Sequence, residues 1–209
     1  MLKANFPQIA DRISRKIGRL FSRIPISPNG WTLLSLIPGF LGFLALFYKN
    51  MLLGLILFVI CGFLDAVDGG VARVTRKITE KGGYLDGMVD RINEGFLLIG
   101  LMFFGLPDFI FLDSKTPAYL WISLLLFVGS VLVSYSRAYA AQKRVITDEE
   151  ILKSMPGILE RTERLLLIGA GMILYFIQPV YLTYVIFLAF FLSLITLLQR
   201  IIFVMRFKG

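Results

Sequence analysis

The sequence lacks histidine altogether, and its 209 residues include a single cysteine, Cys61. The absence of histidine excludes Ser–His–Asp catalytic triads and histidine-ligated zinc or iron sites. Since Cys61 lies alone in an apolar run, the chain has neither a disulfide framework nor a thiolate metal site. Carboxylates are therefore the remaining candidates for a general base.

Charged residues are also scarce, at 17% of the chain, whereas hydrophobic residues make up 57%. The mean hydropathy of +0.77 is well above that of a soluble globular chain. The formal net charge is +8, which in a membrane protein favours contact with anionic lipid headgroups. No basic–aromatic pattern typical of a nucleic-acid groove is present, so we expect membrane lipids and no nucleic acid as partners.

Long apolar runs predict an all-α fold, an integral membrane six-helix bundle, because each run approaches the ~20 residues that cross a bilayer. The six predicted spans cover residues 31–47, 51–73, 84–104, 118–141, 160–177 and 180–203. We expect a kink at Pro38-Gly39 in the first span. The connection over 107–117 is predicted to be polar, and the segment 142–155 a charged loop. Residues 26–209 are thus predicted to form one six-transmembrane catalytic domain.

The N-terminal segment 1–25 is predicted to be an interfacial amphipathic helix that lies along the membrane surface. Apolar residues recur at helical spacing, with basic residues between them. The apolar positions are Ile9, Ile13, Ile17 and Leu20, and the basic positions are Arg12, Arg15, Lys16 and Arg19.

The distribution of lysine and arginine predicts the orientation in the membrane. All of them except Lys49 and Lys115 fall on, or in helix near, the side that holds both termini and the loop after the second span. By the positive-inside rule, both termini are predicted to be cytoplasmic in a multi-pass protein of the plasma membrane. The acidic motif described next lies at the same cytoplasmic side.

Four aspartates stand out in this apolar chain, in two pairs: Asp65 with Asp68, and Asp86 with Asp90. The spacings are i,i+3 and i,i+4, so each pair shares one face of a helix. Two such faces turned together form an all-oxygen cage that suits Mg²⁺ or Mn²⁺. Two divalent ions would cancel the roughly four negative charges of the cage. A buried salt-bridge network, neutralised by arginines of the same stretch, is the structural alternative; the candidates are Arg73, Arg76 and Arg91.

Small residues and one arginine accompany the acids in a fixed frame, D-x2-D-G-x2-A-R-x8-G-x3-D-x3-D, from Asp65 to Asp90. This pattern resembles the signature of the CDP-alcohol phosphotransferases, integral membrane enzymes of phospholipid synthesis. The resemblance extends over nearly the whole chain and implies a CDP-linked lipid donor, CDP-diacylglycerol or CDP-archaeol. It also implies a small polar alcohol acceptor, release of CMP and a homodimer.

The resemblance implies a role for each matching residue. Asp65, Asp68 and Asp86 would be the chief metal ligands, and Asp90 would take the proton of the acceptor while also contacting one metal. The residues implied to bind the nucleotide and its phosphates are Gly69, Ala72, Arg73 and Gly82. A second donor segment matches by position at Pro28, Asn29, Gly30 and Trp31, with a proline turn carrying an interfacial tryptophan as the alternative. Thr79 matches a hydroxyl near the donor in some relatives, and a loop threonine is the alternative.

The acceptor is favoured to be inositol phosphate, because two segments resemble that branch of the family. They are S-Y-S-R-A-Y-A around Arg137 and E-R-T-E-R-L from Glu160. The arginines implied to bind the acceptor phosphate are Arg137, Arg161, Arg164 and Arg200. Tyr139 departs from the branch, which has a second basic residue there, so glycerol phosphate and serine remain alternative acceptors. Individual arginines could instead anchor at the interface, and Arg164 could pair with Glu160.

Two other interpretations of the sequence are a cation carrier and an inactive structural homologue. An aspartate-lined cavity occurs in cation carriers, but a transport site usually lies near the midplane of the membrane. A carrier would also have no use for the Gly69, Ala72 and Arg73 pattern. An inactive structural homologue is disfavoured because the signature residues are all present.

Overall fold

The computed structural model describes residues 7–111 and 114–207. In this part of the chain, helices and turns predominate and a single small hairpin is the only sheet. The chain divides into two compact units, residues 2–104 and 105–209, called here the N-terminal and C-terminal units. Of the predicted interfacial segment 1–25, residues 1–6 lie outside the described residues.

Helices account for most of the described part of the N-terminal unit. They are α1 (Pro7–Phe21), α2 (Pro28–Leu34), α3 (Leu36–Phe47), α4 (Met51–Val74) and α5 (Glu80–Phe104). Helix α3 packs extensively against both α4 and α5, and α1 packs along α4. By contrast, α4 and α5 make little direct contact with each other. The separation between the two helices that carry the aspartates is therefore set by the helices between them.

Helix α1 crosses α4 at two glycines. A Cβ atom on Gly18 would overlap the carbonyl oxygen of Gly70, and one on Gly70 would lie 2.7 Å from the carbonyl oxygen of Ser14. Such close backbone approach requires residues without side chains. The basic residues Arg12 and Arg19 of α1 remain exposed.

Helix α2 is capped by Ser27 and ends before Ser35. Pro28 occupies the first turn, where its missing N–H costs nothing, and Ser27 Oγ caps the helix by accepting a hydrogen bond from Gly30 N–H at 3.1 Å. The helical path is interrupted at Ser35 and not at the predicted kink, Pro38-Gly39. Because Pro38 has no N–H, the carbonyl of Leu34, four residues earlier, loses its helical partner.

Lys49 connects the turn between α3 and α4 to the C-terminus of α5. It lies in the turn between α3 and α4 with φ of 64°. Its Nζ donates a hydrogen bond to the carbonyl oxygen of Phe104 at 2.8 Å, at the C-terminus of α5. A cation at this position stabilises the terminal carbonyls of a helix.

The C-terminal unit begins with a β-hairpin in which Phe109 pairs with Thr116. The remaining elements follow in order: β1 (Phe109–Phe111), β2 (Ser114–Thr116), α6 (Ala118–Leu125), a π-helical segment (Leu126–Leu132), α7 (Val133–Gln142), α8 (Glu149–Lys153), α9 (Arg161–Leu174) and α10 (Val180–Arg206). The sequence predicted an all-α chain with a polar connection over 107–117, and the β-hairpin corrects this prediction. The apolar side chain of Phe109 explains the difference, because it packs against Trp121 and Phe187. The predicted loop 142–155 also contains α8, which Asp148 caps.

Four helical segments in the described part of the chain are long and apolar enough to cross a membrane. They are Pro28–Phe47, Met51–Val74, Ala118–Gln142 and Val180–Arg206. They agree with four of the spans expected from the sequence and confirm a helical membrane protein. Helix α5 and the 14-residue helix α9 are not among the four, because α5 carries several charged residues and α9 is short.

Candidate metal and phosphate site

Three aspartates from two helices converge in the N-terminal unit. Asp65 projects from α4, and Asp86 and Asp90 project from successive turns of α5. One carboxylate oxygen of each lies within 4.8 Å of the others, and all three side chains are half-buried. The structure thus brings together three of the four acids that the spacing placed on facing helices.

Asp68 lies one turn beyond Asp65 and is more deeply buried, with an exposed fraction of 5%. It is not a member of the three-carboxylate group, but Asp65, Asp86 and the side chain of Thr32 all lie near it. Its Oδ2 is buried and has no hydrogen-bond partner in the described part of the chain. A buried carboxylate oxygen without a partner is costly unless a cation compensates it.

These observations fit a hard divalent cation. All four side chains offer oxygen donors, which Mg²⁺ and Mn²⁺ prefer, and the bare Oδ2 of Asp68 supplies a ligand atom that the protein itself leaves uncompensated. The salt-bridge alternative is represented by Arg91, whose Nη1 lies 3.9 Å from Oδ2 of Asp90. This distance is longer than the roughly 2.7–2.9 Å of a strong charge-assisted hydrogen bond.

Two of the predicted nucleotide residues lie together on the last turns of α4. A Cβ atom on Gly69 would lie 3.2 Å from Nη2 of Arg73, so the guanidinium group lies across the glycine. Arg73 is exposed and Ala72 is half-buried. A bare backbone beneath an exposed guanidinium group is suited to contact with phosphate oxygens.

The start of α5 meets the start of α2 at Gly82. A Cβ atom there would lie 3.0 Å from Thr79 Oγ1 and 3.1 Å from Asn29 Oδ1. Thr79 Oγ1 accepts a hydrogen bond from the N–H of Gly82 at 3.0 Å, which is a capping contact at the N-terminus of α5. The side chain of Asn29 thus projects toward Gly82. Pro28 and Gly30 are half-buried in the same turn.

Trp31 is placed differently from its neighbours in the predicted donor segment. It is 5% exposed and belongs to a core cluster with Val67 and Val71 of α4. Its ring also meets that of Phe21 edge-on, with centroids 5.5 Å apart. Trp31 therefore joins α1, α2 and α4, and it does not occupy the exposed position of an interfacial tryptophan.

The predicted acceptor arginines lie in the C-terminal unit, around Glu160. Oε1 of Glu160 accepts hydrogen bonds from Nη2 of Arg200 at 2.9 Å and from Nη2 of Arg137 at 3.3 Å. The charge of Arg164 also acts on Arg200, which places a third guanidinium group nearby. Three guanidinium groups thus lie close to Glu160.

Two of these arginines are buried, with exposed fractions of 1% for Arg164 and 4% for Arg200. Arg200 is held further by the carbonyl oxygens of Val133, at 2.6 Å, and Pro156, at 3.3 Å. This burial is inconsistent with anchoring of Arg200 at the headgroup level. Arg161 is half-buried in the first turn of α9, and the N–H of Arg164 donates to the Glu160 carbonyl at 2.9 Å.

Sequence reasoning missed three buried polar residues of the N-terminal unit, Thr32, Ser35 and Asn93, of which Thr32 lies near Asp68. Their only signal in the sequence is that they are small polar residues inside apolar runs. Asn93 also falls one turn beyond Asp90, on the same face of α5. Sequence reasoning likewise assigned Glu160 no role beyond a pairing with Arg164.

The fold and the acidic site together indicate a helical membrane protein with a cluster of carboxylates that could hold a metal ion. The sequence model of the CDP-alcohol phosphatidyltransferases matches residues 25–205. The chain belongs to this family, which comprises transferases of phospholipid biosynthesis with membrane helices and metal-binding sites.

Two archaetidylinositol phosphate synthases are among the relatives of the chain. The chain is 30% identical to archaetidylinositol phosphate synthase of Pyrococcus horikoshii over 203 residues, which cover 96% of this chain and 95% of that protein. It is 31% identical to the archaetidylinositol phosphate synthase of Methanothermobacter thermautotrophicus, over 74% of this chain and 71% of that protein.

A solved structure with a similar fold is that of phosphatidylinositol phosphate synthase from Mycobacterium tuberculosis with CDP-DAG bound. The TM-score is 0.76 at 25% identity, covering 95% of this chain and 96% of that chain. A second structure of the same enzyme, in complex with manganese and citrate, also has a TM-score of 0.76 at 25% identity and covers 94% of this chain and 90% of that chain.

Proposed function

We propose that this protein transfers a phospholipid phosphate group from a CDP-linked lipid to inositol phosphate and releases CMP. The observation that carries the proposal is the convergence of Asp65, Asp86 and Asp90, with oxygens within 4.8 Å, beside the buried carboxylate of Asp68. This arrangement lies within a chain that belongs to the CDP-alcohol phosphatidyltransferase family.

The donor is proposed to bind along the ends of α2, α4 and α5. The exposed Arg73 guanidinium group would bind phosphate oxygens, and Gly69 and Gly82 would allow close approach of the nucleotide to the backbone. Ala72, Pro28, Asn29, Gly30 and Thr79 line the same ends, and Trp31 supports them from the core. The CDP-DAG complex of the mycobacterial relative supports a CDP-linked lipid as donor.

Two divalent ions, Mg²⁺ or Mn²⁺, are proposed to be held by Asp65, Asp68, Asp86 and Asp90. When bound, they would neutralise the charge of the pyrophosphate and of the departing CMP. The manganese complex of the mycobacterial relative supports the choice of ion class. The aspartates themselves fix the ions relative to α4 and α5, because each pair occupies one face of its helix.

The transfer step is proposed to use Asp90 as general base. The acceptor hydroxyl oxygen attacks the lipid-side phosphorus, and its proton moves to a carboxylate oxygen of Asp90. The bond from that phosphorus to the bridging oxygen breaks, and CMP leaves with the electron pair. The phosphorus moves, with its lipid, from the CMP oxygen to the acceptor oxygen without a change of oxidation state, so the step needs no oxidant or reductant.

The acceptor is proposed to be inositol phosphate, held by its phosphate group. Arg137, Arg161, Arg164 and Arg200 supply the cations, and Glu160 orients two of them. The names of the relatives, archaetidylinositol phosphate synthase and phosphatidylinositol phosphate synthase, support this acceptor over glycerol phosphate or serine.

The membrane arrangement is proposed to comprise six spans, with α5 and α9 added to the four apolar segments. The segment 1–25 would lie on the membrane surface, where the exposed Arg12 and Arg19 face anionic headgroups. Residues 26–209 would form the catalytic domain. Both termini and the aspartates would face the cytoplasm, and the enzyme would act as a homodimer.

The experiment that tests this function measures CMP release by the purified protein in detergent or lipid. The donors are CDP-diacylglycerol and CDP-archaeol, each with a panel of inositol phosphate, glycerol phosphate and serine. We expect release only with inositol phosphate, and a loss of about 10³-fold or more in Asp90→Asn.

Asp148→Asn is the matched control, since Asp148 is exposed at the cap of α8 and asparagine caps equally well. We expect full activity in this variant. Release with none of the acceptors, or undiminished release by Asp90→Asn, would contradict the proposed function.

A further inference from the structure

Direct contacts between α4 and α5 do not determine the distance between the aspartates on these two helices. Helices α4 and α5 barely touch each other, whereas both pack against the α2–α3 segment. Any metal site shared by the two helices therefore depends on what fixes α2 and α3 between them. Buried hydrogen bonds are the directional contacts able to fix such a position.

A hydrogen bond between Asn93 and Ser35 lies at this junction. Nδ2 of Asn93, on α5, donates to Oγ of Ser35 at 3.0 Å. Ser35 is the residue at which the helical path between α2 and α3 is interrupted. Their exposed fractions are 6% and 2%, so water does not compete for this bond.

Each partner of this hydrogen bond is related in position to a predicted metal ligand. On α5, Asn93 follows Asp90 by three residues and so lies on the same face one turn further. On the other side, Oγ of Ser35 donates to the carbonyl oxygen of Thr32 at 2.7 Å. The Thr32 side chain lies beside Asp68 of α4, and its hydroxyl donates to the carbonyl oxygen of Pro28 at 3.2 Å. The Asn93–Ser35 bond, which lies outside the sequence motif, thus joins the helix of Asp90 to the segment that holds Thr32 beside Asp68.

Gly39 leaves the space that the Asn93 side chain occupies. A Cβ atom on Gly39 would overlap Oδ1 of Asn93, so the amide fills the space above this glycine. A side chain in such a confined place is limited to one orientation. Asn93 therefore combines a directional bond with a fitted position on α3.

We propose that Asn93 and Ser35 are positioning residues that hold Asp90 and Asp68 at the separation required for divalent-cation binding. The inference rests on the proposed function, because it concerns the same aspartates. Outer contacts of this kind tune metal affinity by orienting the ligands, and their removal costs about 10–100-fold.

The test measures Mn²⁺ binding directly, by electron paramagnetic resonance of free Mn²⁺, together with thermal unfolding of each variant. In Ser35→Ala, the amide of Asn93 is left buried without its acceptor, so we expect a lower Tm. In the double variant Ser35→Ala/Asn93→Leu, both partners are apolar, and we expect Tm to return most of the way to the wild-type value. We expect the Kd for Mn²⁺ to stay raised by about 10-fold or more in both variants.

Thr183→Val is the matched control, because it also removes one buried hydrogen bond, from the Thr183 hydroxyl to the Pro107 carbonyl at 2.8 Å. We expect this variant to lower Tm without changing the Kd for Mn²⁺. Recovery of wild-type Mn²⁺ affinity together with Tm in the double variant would overturn the positioning role. Absence of Mn²⁺ binding by the wild-type protein would instead overturn the proposed function, and the inference with it.

Discussion

Nη2 of Arg200 donates a hydrogen bond to Oε1 of Glu160 at 2.9 Å, and the arginine is 4% exposed. The same oxygen accepts from Arg137. One carboxylate thus holds two guanidinium groups from α7 and α10 at the start of α9. Because a buried charge is costly without its partner, this contact matters for both folding and charge balance.

Glu160→Gln should destabilise the protein by about 3 kcal/mol, since it leaves the buried Arg200 without a counter-charge. A decrease in thermal or denaturant midpoint in detergent measures the effect. Glu149→Gln is the matched comparison, because Glu149 also lies 2.9 Å from its cation, Lys153, but both side chains are exposed. We expect no measurable change there. Equal effects of the two substitutions would contradict the importance of burial.

Arg137→Gln should raise KM for inositol phosphate by about 10–100-fold, the loss expected for a hydrogen bond to a charged group. KM for the CDP-linked lipid should stay unchanged. Steady-state assays with each substrate varied in turn separate the two values. A parallel rise in both would indicate a general distortion and would exclude a specific contact with the acceptor phosphate.

Removal of divalent ions should abolish CMP release. The four aspartates supply hard oxygen ligands, and Oδ2 of Asp68 has no hydrogen-bond partner in the described part of the chain. We expect EDTA to stop the reaction and Mg²⁺ or Mn²⁺ to restore it. An undiminished rate in EDTA would refute the metal site.

Gly18→Ala should lower stability, because the added methyl group would overlap the carbonyl oxygen of Gly70 where α1 crosses α4. Overpacking of this kind costs roughly 1–3 kcal/mol, more than the ~1 kcal/mol that alanine gains over glycine in a helix. Gly62→Ala, on α4 with no atom within 4 Å of its Cβ position, serves as control. We expect its Tm to be equal or higher than that of the wild type.

The sequence predicted the convergence of the acids because helical spacing determines which side chains share a face. Asp86 and Asp90 could be placed on one face of α5 without any coordinates. Of the six spans that the sequence predicted, four are present as long apolar helices, because hydropathy over about 20 residues depends on composition alone.

Other features of the structure depend on tertiary contacts, which a local sequence pattern does not predict. Ser35 and Asn93 are 58 positions apart and meet only because α3 packs on α5. The hairpin at Phe109 forms because its ring finds Trp121 and Phe187, which is a tertiary contact. The burial of Trp31 likewise follows from packing on Val67 and Val71, whereas its position after Pro28 had suggested an exposed turn.

Lys49 has a mechanical consequence for the aspartates at the opposite end of the unit. Its contact with the Phe104 carbonyl pins the far end of α5 to the turn between α3 and α4. Asp86 lies 18 residues away, a lever arm of about 27 Å at 1.5 Å per residue. A tilt of about 3° around this pivot would displace Asp86 by about 1.4 Å, several times the ~0.2 Å tolerance of a metal–ligand distance. A firm contact at Lys49 therefore helps to keep Asp86 at a fixed distance from Asp65.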